Sequence, residues 1–243
     1  MQRALTLYST TIGRKVAMAI SGVILVGFVI VHMLGNLQLY VGQEKFNAYA
    51  EKLHTDLLPV TWAVRLVLLA AVAMHVGSAF LLFRKNRMAR PQRYQKKRDI
   101  ATDYAAKTMY LSGPILLGFI LYHLAHMTFG KTFGVYEWID GDPYNNLVHG
   151  FQHWTVAIPY IVGNVFLGTH LFHGIYSAFQ SLGANHKKYN HLRRDLAVGL
   201  ATLVTLGNLS LPIAVQAGFI QPTDAAMLQL PIDGAVQPMI PTP

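Results

Sequence analysis

Residues 110–130 read YLSGPILLGFILYHLAHMTFG, twenty-one residues without a carboxylate, lysine or arginine but with two histidines, His123 and His126. At about 1.5 Å per helical residue, such a run matches a hydrocarbon core of about 30 Å and reads as a membrane span. An imidazole at that depth finds no bulk water. It must be satisfied by the protein or by a bound group.

The rest of the chain has the same character. Of 243 residues, 53% are hydrophobic and 13% charged, and the mean hydropathy is +0.33. A soluble domain carries about 25% charged residues. The chain has no cysteine, which excludes disulfides, thiolate metal sites, iron–sulfur clusters held by this chain and covalent C-x-x-C-H haem attachment.

Five apolar stretches predict an all-α membrane protein with five transmembrane helices, at Val16–Tyr40, Trp62–Phe83, Tyr110–Phe129, Val156–Phe179 and Leu196–Ala217. Arg14 and Lys15 precede the first stretch as they would in a signal peptide. Its apolar run is too long for one, and no small-residue cleavage site follows. Residues 1–218 read as one membrane domain. Residues 219–243 form a Pro-rich tail too interrupted to span, expected to be mobile or to lie along the outer surface. Beyond a recurring H-x-x-H there is no internal repeat.

Sixteen of the twenty Lys and Arg residues fall on one side of these spans: Arg3, Arg14 and Lys15, the stretch RKNRMARPQRYQKKR with Lys107, and HKKYNHLRR. The other side holds Lys45, Lys52 and Lys131, with Arg65 just inside the second span. The positive-inside rule then predicts a multi-pass cell-membrane protein with a cytoplasmic N-terminus and an extracytoplasmic C-terminus. The net charge of +9 is accounted for by topology, with lipid or an acidic partner at the inner face. It does not call for nucleic acid.

Six of the eleven histidines lie in the spans: His32, His75, His123, His126, His170 and His173. A single intramembrane histidine is often a hydrogen-bond partner between helices. Here the depths are ordered. His32 and His123 lie about 12 and 9 Å below the outer ends of their helices, and His75 and His170 about 12 and 14 Å from the inner ends. Two layers result, each drawing one histidine from each of two helices. A zinc site would want three or four ligands, commonly with Cys or carboxylate, and no Asp or Glu lies inside any span. A haem iron wants two axial ligands on opposite faces of a flat, largely apolar macrocycle, which a helix bundle supplies. Two layers therefore predict two non-covalent haems b in the first four helices. His126 lies near the outer end and fits the outer layer poorly, which suggests a hydrogen bond to a propionate, a carbonyl or interfacial water. Depth leaves His170 and His173 as alternatives. Arg14, Lys15 and Lys107 on one side, and Arg65 and Lys131 on the other, are available to haem propionates, although each also reads as ordinary snorkelling. Gly27 and Gly118, each five residues before a proposed ligand, would allow a macrocycle close approach.

The stretches GRKVAMAISGVILVGFVIVHMLGNLQ, SGPILLGFILYHLAH and FLGTHLFHGIYSAFQ, in this order on five helices, resemble the cytochrome b558 membrane anchor of succinate:quinone oxidoreductases, respiratory complex II. The likeness covers about residues 10–218. It implies two haems b, with axial ligands His32 (before MLGN), His75, His123 (ten residues after Gly113) and His170 (four before Gly174). It pairs His75 with His170 on the inner haem and His32 with His123 on the outer, and it selects His170 over His173. It further implies a flavoprotein subunit and an iron–sulfur subunit on the cytoplasmic face, possible oligomers of the whole complex, and a diffusible quinone, menaquinone being expected. Succinate chemistry would belong to the partners. In two-chain relatives a Ser and an Arg near the start of the first helix help bind quinone. Ser21 matches the former, but Ala19 stands where that Arg would be, so no proximal quinone site is carried over. Isolated Arg65 points to a distal one. The alternatives are a cytochrome b subunit of another respiratory dehydrogenase, such as a hydrogenase, and a haem-free proton or metal transporter.

Overall fold

The structure, a computed structural model, describes residues 8–89, 104–184 and 186–223. The elements in order are α1 (Thr11–Asn36), a 3₁₀ turn (Leu37–Val41), α2 (Gln43–His54), α3 (Leu58–Met88), α4 (Tyr104–His123), α5 (Pro143–Gln152), α6 (Trp154–Ser181), a 3₁₀ turn (Lys187–Tyr189) and α7 (Asn190–Gln216). A π-helical turn, Leu124–Thr128, continues α4. Among the described residues there is no strand.

Five of these helical segments, Thr11–Val41, Leu58–Met88, Thr108–Thr128, Trp154–Ser181 and Asn190–Gln216, are long and apolar enough to cross a membrane. The chain is a multi-pass membrane protein. Large apolar side chains such as Leu66, Leu69, Phe80, Leu121, Leu203 and Leu206 face outward along the spans, as lipid contact favours. Pro114, Pro159 and Pro212 sit inside helices, which membrane helices tolerate when neighbours re-satisfy the freed carbonyls.

The helices run past the apolar stretches that predict them. The second span extends through Arg84, Lys85 and Arg87, since cations near a helix C-terminus complement its dipole. The fifth begins at Asn190 rather than Leu196. The connections that the charge pattern assigns to the outer side fold into α2 and α5, and their end of the bundle is called outer below. Thr10 caps α1 by accepting from the Gly13 amide at 3.0 Å, and Asp142 caps α5 by accepting from the Asn145 amide at 3.1 Å. Gly42, with φ of 113°, turns the chain from the first 3₁₀ turn into α2, a conformation glycine adopts at little cost.

In the bundle α1 packs on α3, α4 on α6, α1 on α6, and α7 against α6 and α1. Met33, Leu171, Ile175, Ala197, Ala201 and Val204 form the core beneath α7, where alanines let the helices approach closely. A second core caps the outer end: Phe46, Tyr144, Leu147, Val148 and Phe151 of α2 and α5 bury against Leu39 and the end of α7. Asp142 clips this cap together. It accepts from Gln43 Nε2 at 2.7 Å, Asn47 Nδ2 at 2.8 Å and Asn145 Nδ2 at 2.7 Å. Burial opposes its charge, but the hydrogen bonds from Asn47, Asn145 and Gln43 prevail and hold the carboxyl below its ordinary range.

The start of the C-terminal tail joins the cap, with the Thr223 amide donating to Asn145 Oδ1 at 2.9 Å. The rest of the tail, Arg3 and residues 90–103 of the basic connection lie outside the described residues.

Candidate functional site: two layers of histidines

The helix packing brings four of the six intramembrane histidines together in two pairs. His32 on α1 faces His123 on α4, with ring centroids 5.7 Å apart and planes at 78°. His75 on α3 faces His170 on α6, at 6.2 Å and 58°. Each pair thus draws on both helical hairpins, α1–α3 and α4–α6.

Hydrogen bonds orient three of the four rings through Nδ1. His75 Nδ1 lies 3.1 Å from the Met18 carbonyl oxygen and 3.4 Å from Ser21 Oγ. The Ser21 hydroxyl donates to the Ala17 carbonyl at 2.8 Å, so toward His75 its oxygen accepts. His170 Nδ1 lies 3.1 Å from Ser112 Oγ, and His123 Nδ1 lies 3.3 Å from the Tyr160 hydroxyl. Among the described residues, none hydrogen-bonds Nε2 of these three rings. His32 instead stacks on Phe28, at 5.3 Å and 16°.

The two hairpins therefore repeat one local arrangement, in which a buried serine on the first helix holds a histidine on the second. Ser21 and Ser112 are 0% and 1% exposed. Each is followed by glycine, and each stands eleven residues before the histidine of the other layer, His32 or His123. That offset separates the layers by about 16 Å along the helices. Gly22 also makes room for the His75 ring, since a Cβ there would lie 3.3 Å from Cε1. The recurring Ser-Gly was the sequence signal for these supports. The reading of H-x-x-H as the one repeat passed over it.

His126 belongs to neither pair. The π-helical turn carries it into the interior, where it is 0% exposed; such turns recur at functional sites. Its Nδ1 lies 2.7 Å from the Tyr160 hydroxyl and its Nε2 2.7 Å from the Tyr136 hydroxyl. Both nitrogens are engaged, so no lone pair remains for a metal. Its partners are tyrosine hydroxyls, where the sequence suggested a propionate, a carbonyl or water. Gly150 closes against it: a Cβ there would lie 3.1 Å from the His126 ring and 3.3 Å from the Tyr136 hydroxyl. Tyr136, in the connection between α4 and α5, is half-buried and stacks on His153. Burial, and then the proximity of Tyr122, push its hydroxyl well above the ordinary tyrosine pKa. His173 Nε2 lies 2.9 Å from Ser177 Oγ.

The cations are distributed more simply. Arg65 lies over the Trp62 ring of its own helix, 5.2 Å from the centroid. Arg14 donates to the Tyr8 carbonyl at 3.2 Å, and Lys15 and Lys131 are exposed. The Lys107 side chain lies outside the described residues. Arg193, read in the sequence as part of a basic connection, is 6% exposed. It donates to the Ala184 carbonyl and Asn190 Oδ1 and lies over the Tyr176 ring. A Cβ at Gly27 or Gly118 would meet nothing within 4 Å.

This donor set fits a metal held axially by two imidazoles. Nitrogens bound on opposite sides of a first-row metal, at about 2.0–2.1 Å each, place the two ring centroids about 6.4 Å apart. The observed 5.7 and 6.2 Å are within 1 Å of that. Rings sharing a coordination axis can rotate about it, so both interplanar angles are compatible. Among the described residues no three His, Cys, Asp or Glu side chains converge, as a zinc centre would require. Compared with family models, curated proteins and solved structures, the chain matches none.

Proposed function

We propose that the chain is the membrane-anchor cytochrome b subunit of a succinate:quinone oxidoreductase, with His75 and His170 holding an inner haem b and His32 and His123 an outer one. The observation that carries this reading is the pair of opposed imidazole couples, one above the other, with no hydrogen bond to Nε2 of His75, His170 or His123 among the described residues. Bound there, bis-histidine haem supplies one-electron transfer and leaves no open position for oxygen.

The chain's own residues keep the sites ready. The Met18 carbonyl accepts the Nδ1 proton of His75 and Ser112 Oγ that of His170, so each ring presents Nε2 as the ligating atom. All four histidines are half-buried in the apolar bundle, and α7 buttresses α6 and α1 from the side. The basic connections, on the cytoplasmic side in this topology, offer cations to the flavoprotein and iron–sulfur subunits. Haem held by His75 with His170, and by His32 with His123, would supply one-electron transfer between the iron–sulfur subunit and menaquinone, or the reverse in fumarate reduction. This chain performs no succinate chemistry.

A pyridine haemochrome assay on the purified complex tests the reading, together with identification of co-purifying subunits. Two haems b per chain and a flavoprotein partner are expected. Two haems with a hydrogenase-type partner would reassign the complex. A colourless, folded chain from haem-replete cells would overturn the cytochrome assignment.

A further inference from the structure

Among the described residues, the outer layer carries a device that the inner one lacks. His170 is held by a single serine hydroxyl, and His75 by a backbone carbonyl and a serine. His123 is held by the hydroxyl of Tyr160, which is itself held by His126, which is held in turn by Tyr136. The chain of contacts runs from His123 in the outer layer to the outer connection at 3.3, 2.7 and 2.7 Å. Its core is dry: Tyr160 is 6% exposed and His126 0%. Phe119, Tyr122 and Phe151 pack their rings against Tyr160, so its hydroxyl has little freedom.

We infer that Tyr160, fixed by His126 and Tyr136, is a positioning residue for His123 that couples the outer haem to the connection between α4 and α5. The inference rests on the cytochrome reading above. If Nε2 of His123 ligates iron, its Nδ1 carries the proton and donates to the Tyr160 oxygen. The Tyr160 hydroxyl must then donate to His126 Nδ1, and His126, as a neutral ring, donates from Nε2 to the Tyr136 oxygen. Ligation at one end thus sets the direction of every hydrogen bond as far as Tyr136. An acceptor on Nδ1 raises the basicity of a ligating imidazole and favours the more oxidised metal. The outer haem's potential is therefore lowered by Tyr160, and His126 and Tyr136 strengthen that effect by fixing the acceptor. His126 gains a role that requires histidine without being a ligand.

The test is a redox titration with low-temperature EPR on the intact complex, comparing wild type with Tyr160→Phe and Tyr136→Phe. The outer haem is assigned from His75→Ala, which removes the inner ligand set. Tyr160→Phe is expected to raise the midpoint potential of the outer haem and shift its low-spin g values, leaving the inner haem unchanged. Tyr136→Phe, at the half-buried end, is expected to shift the same haem in the same direction by less. It also decides the matter if Tyr160→Phe does not fold. Two haems with potentials and g values unchanged in both variants would overturn the inference while leaving the cytochrome reading intact. A wild-type chain without haem would overturn the cytochrome reading first, and this inference with it.

Discussion

His75 Nδ1 lies 3.1 Å from the carbonyl oxygen of Met18, across the α1–α3 interface. A carbonyl can only accept, so this nitrogen carries the ring proton and Nε2 carries the lone pair. Among the described residues His170 has no such backbone partner, and it depends on the Ser112 hydroxyl. Ser112→Ala should therefore weaken haem binding at the inner pair by about 10- to 100-fold. Ser21→Ala should cost less, because the Met18 carbonyl remains. The rate of haem loss to an acceptor protein measures both, and equal effects would show that the carbonyl does not orient His75.

Single substitutions should divide the histidines into three groups. His32→Ala or His123→Ala is expected to remove one haem, and His75→Ala or His170→Ala the other. His126→Ala and His173→Ala should keep both, since His126 has both nitrogens on tyrosine hydroxyls and His173 bonds Ser177. Haem per chain in folded protein is the readout. Loss of a haem from the His126 variant would contradict the pairing.

Asp142 should make the outer cap sensitive to acid. Its carboxyl is held below the ordinary value, so its stabilisation is complete above about pH 4 and is lost as pH falls through the lower folded value. Asp142→Ala removes both the α5 cap and the clip between α2 and α5, and is expected to cost about 0.5–2 kcal/mol as a helix cap alone. Thermal unfolding in detergent between pH 7 and pH 3 would check this. The variant should start less stable and lose less on acidification.

Gly150→Ala should destabilise the outer cap by about 1–3 kcal/mol, the usual range for overpacking. The new methyl would stand 3.1 Å from the His126 ring and 3.3 Å from the Tyr136 hydroxyl, so the ring or the backbone must yield. Thermal unfolding at neutral pH measures the cost, and an unchanged midpoint would show that the site has slack.

Much of this architecture was readable along the chain, because a lipid solvent leaves few solutions. Every backbone amide in the hydrocarbon must bond internally, so apolar runs such as 110–129 become helices, and charge asymmetry orders them. Depth along each helix follows from a fixed rise per residue, which is why His32 could be paired with His123 and His75 with His170 or His173, the resemblance then selecting His170. Other features escaped. Amphipathic α2 and α5 carry ordinary polar composition, and they fold because Phe46, Tyr144, Leu147 and Val148 find a common core beyond the spans. Arg193 looked like one more surface cation until the start of α7 turned it against Tyr176.

The chain alone thus specifies five membrane helices and the layering of their histidines, since both depend on local periodicity and distance along one axis. Which atom of each ring is held, and by what, depends on contacts between helices far apart in sequence. Met18, Tyr160 and Tyr136 carry no mark of that role in their own segments, and Ser112 only the glycine that follows it as one follows Ser21, because a hydrogen bond across a bundle depends on where the neighbouring helix lies and how it is rotated.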